Sequence, residues 1–287
     1  MKAIVKFFRK AIPDTHPVRL LYHKISAVIA SLIYWFPANH LVVIGITGTK
    51  GKTTTTNLIA NILTSSGFKV GMTSTAGFQI AGKKWINDTK QTTLSPFVMQ
   101  KLLRRMVSEG CKYAVLEISS HAMVQSRAFG ISLDVGLVTN VTAEHVEYHG
   151  GFNNYLAAKG KLLEKVSKDK RKFGVPKVII LNNDDKYYNF FNQFIADRKM
   201  VYGLKGGTIY ADQIQKGNDG SNFILKVPNN AIPIFLKLPG DFNIYNALAA
   251  AAVCISLQIS LEDVKKGLED SSIVSGRFEH VEAGQKY

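Results

Sequence analysis

Apolar residues follow this chain in two rhythms: short runs that are apolar at nearly every position, and longer stretches in which they recur every three or four residues. The runs at 41–46, 67–73, 113–118, 135–140, 177–182 and 199–203 have the length and β-branched content of strands buried on both faces. Stretches 52–65, 95–109 and 153–166 have helical spacing, and in the second of these Phe97, Leu102, Leu103 and Met106 share one side. Such alternation predicts an α/β fold, a mostly parallel sheet flanked by helices. Residues 17–35 read as a helix ahead of it, stopped by Pro37-Ala38-Asn39. Beyond about Thr208 the pattern shortens to 209–214, 223–227 and 232–238, broken by G-N-D-G and P-N-N turns, which predicts a small antiparallel β addition. An alanine-rich helix over 243–257 and a shorter one over 261–268, capped by Ser260, follow.

With 287 residues and 46% hydrophobic content, the chain can bury one large core or two ordinary ones. Its two cysteines, Cys111 and Cys254, stand far apart with no C-x-x-C spacing, which points to a reducing compartment and hence the cytoplasm. The net charge of +15 calls for an anionic partner. Nucleic acid is not expected, because the densest basic runs, 161–177 and Lys2, Lys6, Arg9, Lys10, lack the interleaved aromatics of a single-strand groove. The charge-free apolar run 25–36 is too short to span a bilayer, and no small-residue cleavage site follows it. Together with Ile4, Val5, Phe7 and Phe8 among those cations, it leaves two readings of residues 1–36: peripheral contact with the inner membrane face, or a helix packed on the rest of the protein. Packing is the more economical of the two.

Chemistry concentrates at 42–56, V-V-I-G-I-T-G-T-K-G-K-T-T-T-T, where a buried strand runs through a glycine-rich turn into a helix. Gly48, Thr49, Lys50, Gly51, Lys52, Thr53 and Thr54 form a phosphate-binding loop. Backbone amides can wrap a polyphosphate, Lys52 can reach its outer oxygens, and the Thr53 hydroxyl can sit on magnesium at the helix start. A turn built for packing alone would need neither the lysine nor four threonines. The spacing departs from G-x-x-x-x-G-K-[ST], since Ile46 stands at the first glycine position and the preceding glycines are Gly45 and Gly48. A ligand in a parallel sheet sits at the carboxyl ends of the strands, where Thr47, Glu117 and Asn140 fall.

Six ordered blocks extend this reading: T-G-T-K-G-K-T-T-T-T (47–56), E-I-S-S-H (117–121), T-N-V-T-A-E-H-V-E-Y-H (139–149), Y-L-A-A-K-G-K-L-L (155–163), G-D-F-N-I-Y-N (240–246) and G-R-F-E (276–279). In that order they resemble the Mur ligases, with the MurE type the nearest fit, over residues 42–282. The resemblance implies ATP-dependent amide formation. The carboxylate of a UDP-N-acetylmuramoyl-peptide takes the γ-phosphoryl group of ATP, and the acyl phosphate is then attacked by an amino acid's amine, a step of peptidoglycan precursor synthesis. It also implies roles: Lys52 neutralises phosphate charge, Thr53 and Glu117 hold a first Mg²⁺, and His145 holds a second. Lys159 matches the lysine that the family carbamylates, which would make it an anionic metal ligand. From chemistry alone, His145 would be a polar structural residue and Lys159 one lysine among many on a solvated face.

On the substrate side the resemblance implies Thr92 and Thr93 as contacts to the muramoyl-peptide, with Ser119, Gln125 and Arg127 holding its peptide part. Arginine's bidentate fork suits a carboxylate, although Arg127 on its own would read as a surface ion pair. Asn243, Asn246 and Arg277 are implied on the nucleotide side, with N-capping the ordinary alternative for the asparagines. Departures are Glu144 and Glu147 where aspartate is commoner and Leu94 where proline or glycine is commoner. The expected domains are a basic, apolar helical segment (1–40), a central ATP-binding domain (41–282) and the start of a linker (283–287). Lacking the usual uridine-nucleotide and C-terminal domains, the chain is expected to be a truncated or split catalytic core that carries the first half-reaction. Two other readings stay open: a folylpolyglutamate synthase-like ligase of the same superfamily, and a noncatalytic membrane-apposed nucleotide-binding scaffold.

Overall fold

The computed structural model describes residues 16–89, 91–144 and 146–271. His145, Arg277 and the block 276–279 lie outside the described residues, as do residues 1–15 and the expected domain end at 282. An N-terminal helix α1 (Pro17–Ile33) precedes β1 (Val42–Thr47) and α2 (Lys52–Ser65). Next come β2 (Val70–Thr73), β3 (Gly77–Ile80), β4 (Lys83–Ile86), α3 (Pro96–Ser108) and β5 (Tyr113–Glu117). The short α4 (Ser120–Val124) leads to β6 (Val135–Val138), α5 (Phe152–Lys168), β7 (Val178–Asn182), α6 (Tyr188–Asn192) and β8 (Arg198–Gly203). Strands β9 (Ile209–Gly217), β10 (Gly220–Val227) and β11 (Asn230–Leu236) are followed by α7 (Asp241–Ser256) and α8 (Leu261–Glu269).

Among the described residues, all eleven strands join one sheet in the order β11-β10-β9-β8-β7-β6-β1-β5-β2-β3-β4. From β9 to β2 the neighbours are parallel, and both edges are finished by antiparallel strands. The addition expected from 209 onward forms one edge. The other, the β3–β4 hairpin, escapes the apolar pattern: its two-residue turn puts Ala81 and Gly82 at positive φ, and alanine is not the residue that advertises such a turn.

Alternation along the central strands explains why they read as continuously apolar. Ile44 and Ile46 of β1 face a layer with α2 and the alanines of α7, while Leu41 and Val43 face a second layer with α3 and α5. Each fully buried isoleucine or leucine is worth roughly 1.5–3 kcal/mol of transfer free energy, so a sheet covered on both faces is strongly held in register. That register matters for the site. Ile46 pairs with Glu117 and Thr47 with Val138, which brings the ends of β1, β5 and β6 level at one edge.

Candidate functional site

The loop between β1 and α2 is fixed from one side by Thr139-Asn140, just past β6. Thr139 donates its hydroxyl to the Lys50 carbonyl (2.7 Å), Asn140 exchanges side-chain hydrogen bonds with the Lys50 backbone (3.0 Å each way), and the Thr49 amide donates to the Asn140 carbonyl (2.8 Å). Glycine is required at two points. At Gly48 (φ 147°) a Cβ would stand 1.9 Å from the Thr139 hydroxyl oxygen, and at Gly51 (φ 82°), the α2 N-cap, it would stand 2.2 Å from Asn246 Oδ1. The irregular glycine spacing is therefore matched to its neighbours. Lys52 Nζ donates to the carbonyls of Gly48 (3.0 Å) and Thr49 (2.9 Å), over the amino end of α2, where the helix dipole favours an anion.

Beside this loop Thr53 donates its hydroxyl to Glu117 Oε2 at 2.9 Å. Glu117 is only 1% exposed and also accepts from the Thr75 amide (2.8 Å) and the Thr75 hydroxyl (3.0 Å). All these donors are neutral, and among the described residues Glu117 is in no ion pair. A buried carboxylate in such company favours a cation, and with the Thr53 hydroxyl it offers the hard oxygen ligands that Mg²⁺ takes. The residues fit the metal. Among the described residues no group of three His, Cys, Asp or Glu could hold a metal by itself, so water or phosphate oxygens would complete such a shell.

Two cavities flank the loop. The larger, about 1100 Å³, is lined on the loop side by Thr49, Lys50, Gly51, Lys52, Thr53 and Thr54, and opposite them by Asp184, Asp185, Tyr187, Phe242, Asn243, Tyr245 and Asn246. Both asparagines lie inside α7, whose N-cap is Gly240, so they do not cap it. Asn246 instead accepts from Thr55 (3.2 Å) and donates to Asn243 (3.2 Å), linking α7 to α2. Asp184 braces the far wall, accepting from the Tyr245 hydroxyl (2.8 Å) and the Leu204 amide (2.6 Å). Asp185 accepts from the Val141 and Tyr187 amides, and burial pushes its carboxyl up against the lowering effect of those bonds.

The smaller cavity, about 290 Å³, is lined by Gly48, Thr49, Lys52, Thr92, Thr93, Ser119, Arg127 and Lys159, with Tyr155 and His121 among its other walls. Lys159 is 1% exposed, its Nζ 4.4 Å from the centre of the Tyr155 ring. Burial pushes this ammonium down to about 7, the Lys52 charge pushes the same way, and Glu144 and Asp185 pull back. The lysine is thus not on a solvated face. Tyr155 is held by a 2.9 Å hydrogen bond with the Thr49 hydroxyl, which ties the helix bearing Lys159 to the loop.

The substrate-side residues divide. Thr92, whose hydroxyl lies 3.0 Å from that of Thr75, lines both cavities; Thr93 receives the Ser119 amide (2.9 Å) and its carbonyl accepts from Arg127 (3.3 Å). Ser119 also N-caps α4 through the Ala122 amide. Gln125 lines neither cavity: as the buried C-cap of α4 it donates to the Tyr148 hydroxyl at 2.9 Å. Sequence reasoning missed Thr75, Asp184 and Tyr155. The pair Asp184-Asp185, just past the carboxyl end of β7, carried a signal in that position; Thr75 carried none.

The Mur ligase middle domain matches residues 46–254. A UDP-N-acetylmuramoyl-L-alanyl-D-glutamate–2,6-diaminopimelate ligase of Geobacillus thermodenitrificans (strain NG80-2) is 37% identical over 264 residues, covering 91% of this chain and 53% of that protein. A UDP-N-acetylmuramyl-tripeptide synthetase of Roseiflexus sp. (strain RS-1) is 34% identical over 269 residues, with the same two coverages of 91% and 53%. The chain spans about half the length of the curated relatives it matches. A solved UDP-N-acetylmuramoyl-L-alanyl-D-glutamate–2,6-diaminopimelate ligase superposes with a TM-score of 0.72 at 26% identity, over 81% of this chain and 46% of that one. MurF from Acinetobacter baumannii shares the fold, with a TM-score of 0.70 at 23% identity over 93% of this chain and 52% of that one. A domain match over most of the chain, relatives above 30% identity and a loop whose glycines are demanded by its neighbours converge: this chain belongs to the Mur ligase family, and the relatives named here by sequence are of its MurE type.

Proposed function

We propose that residues 41–282 are the ATP-binding domain of a MurE-type ligase, activating the carboxylate of a UDP-N-acetylmuramoyl-peptide in the cytoplasm. The observation that carries this reading is the sharing of one wall: Thr49, Lys52 and Thr92 line both cavities, so a phosphate held by the loop faces nucleotide on one side and acceptor on the other. The larger cavity is the size of a small-molecule site. In this reading the α2 amino end and Lys52 hold the outer phosphates, Asn243 and Asn246 stand at the nucleotide, and Arg277 belongs to the same side. Thr53 and Glu117 would hold Mg²⁺, which when bound supplies charge neutralisation between two anions.

Arg127, Ser119, Thr92 and Thr93 orient the peptide carboxylate in the smaller cavity. Its oxygen attacks the γ-phosphorus, the bond to the bridging oxygen breaks, and ADP leaves with an acyl phosphate behind; attack by an amine then forms the amide and frees phosphate. Lys159, buried and with its ammonium brought near neutrality, is suited to carbamylation: its neutral amine adds CO₂, loses a proton and becomes an anion able to join His145 at a second Mg²⁺. Residues 283–287 begin a linker in this reading, and residues 1–36 make peripheral contact with the inner membrane face.

The test is ADP release by the 287-residue chain given ATP, Mg²⁺ and UDP-N-acetylmuramoyl-dipeptide, with and without amino acid. ADP release that requires the dipeptide, and falls ~100-fold or more in Lys52→Ala, is the expected result. Failure to bind ATP, or release indifferent to Lys52, overturns the reading.

A further inference from the structure

Helix α1 packs by its small residues and presents its large ones to solvent. Ala27, Ala30 and Ser31 are buried against α3 and the turn at Phe129; the Ser31 hydroxyl donates to the Ala27 carbonyl (2.7 Å), lies 3.3 Å from the Phe129 carbonyl and accepts from Gln100 (3.1 Å). On the opposite side Leu21, Tyr22, Ile25, Ile29, Leu32 and Ile33 are each 44–61% exposed. Their spacing is that of a single helical stripe, inverted with respect to a helix that simply covers a core. The packing reading holds on one face of the helix, and the other face presents an apolar stripe that no described residue covers.

Three observations bear on what would cover it. Arg19 and Lys24 fall on the two flanks of the stripe, each about 110° around the helix from its centre at 100° per residue. In sequence, residues 1–36 hold six cations, Lys2, Lys6, Arg9, Lys10, Arg19 and Lys24, against one acid, Asp14. Just past the helix end Trp35 and Phe36 both adopt positive φ (58° and 46°), a conformation unfavourable for aromatic residues, and Trp35 is 79% exposed. An apolar stripe flanked by cations, with an exposed tryptophan and a basic lead, complements the headgroup region of an anionic bilayer. No described helix is long and apolar enough to cross a membrane, so such contact is in the plane of the surface.

We infer that the outward stripe of α1 lies in the surface of an anionic lipid bilayer, an inference that rests on the membrane contact proposed for residues 1–36. The test uses the full chain with vesicles of phosphatidylcholine alone and of phosphatidylcholine mixed with phosphatidylglycerol. Co-sedimentation is expected with the anionic vesicles, weakened by salt. In a Trp85→Phe background Trp35 is the sole tryptophan, and its emission is expected to shift to shorter wavelength on binding. Ile25→Glu with Ile29→Glu should weaken binding ~10-fold or more, Ile25→Ser with Ile29→Ser less, and Lys24→Ala ~5-fold, all with unchanged ATP-analogue binding. Vesicle binding untouched by the Ile25 and Ile29 pairs overturns the role of α1 while sparing contact through residues 1–15. No vesicle binding at all overturns both. A lipid-free dimer that the Ile25 and Ile29 substitutions dissociate, measured by sedimentation velocity, makes a second copy the occupant and overturns it too. Loss of ATP binding by the parent chain would instead count against the ligase reading alone.

Discussion

Buried charge sits at both ends of the same parallel strands, and the two ends are balanced differently. At the amino ends, Asp134 is fully buried and its carboxylate meets Lys172 Nζ (2.5 Å), Lys177 Nζ (3.2 Å) and the Val43 amide (2.9 Å). Lys172 also donates to the carbonyls of Leu41 and Ser132, and Lys177 to that of Leu133. Charge meets opposite charge, and the remaining donors find backbone. At the carboxyl ends, Glu117 is held by neutral hydroxyl and amide groups and Lys159 lies over a tyrosine ring; neither is in an ion pair among the described residues. The first end is complete as protein and ties β1, β6 and β7 together. The second has the arrangement expected of a site whose counter-charges arrive with metal and phosphate.

The largest effect should come from breaking the complete end. Asp134→Ala strands two buried ammonium groups and should cost ~3–5 kcal/mol of folding free energy in urea denaturation. Glu117→Gln at the other end should change stability by no more than ~1 kcal/mol, because its partners are neutral, yet lower Mg²⁺-dependent ADP release ~100-fold. A stability loss as large as that of Asp134→Ala would erase the contrast.

Titration sharpens it further. The Lys159 ammonium is lowered from an ordinary 10.5 to about 7 in the folded chain, so between those values the unfolded state binds the extra proton. Stability should therefore rise from pH 7 toward 10 with a slope of up to ~1.4 kcal/mol per pH unit, the full penalty being present below pH 7. Lys159→Met should flatten this slope in Mg²⁺-free, bicarbonate-free buffer, as measured by denaturation at several pH values. The smallest effect is expected from an exposed pair at the carboxyl ends. Lys50 and Glu144, 3.4 Å apart and exposed, should lose at most ~0.5 kcal/mol in Lys50→Ala, seen as a barely shifted urea midpoint.

The central strands, the loop and the two C-terminal helices were legible because each is specified by adjacent residues: a buried run, glycines at set places, a serine before a helix. Boundaries shifted where the signal was ambiguous, as at α7, which starts at Asp241 rather than 243 because Gly240 caps it. The β3–β4 hairpin was hidden by Ala81 in its turn. Gln125 shares a block with Ser119 and Arg127 but ends α4 pointing into the protein, so block membership did not place it in a cavity. His145 and Arg277 lie outside the described residues, and their roles stand as proposals.

Read alone, the chain already specified a parallel sheet, a phosphate loop and its family, since those depend on periodicity and on contiguous motifs. Packing settled what separated residues do to one another. Thr75 meets Glu117 across 42 residues, Asn246 meets Thr55 across 191, and Lys159 is buried only because α5 turns that face inward beneath the loop. The apolar residues of α1 were visible as apolar, but which of them would be left in solvent depended on the small residues of the same helix finding α3. Local sequence fixes conformation through short-range sterics and hydrogen bonding, whereas desolvation and charge pairing, which set the chemistry here, depend on which distant surfaces come together.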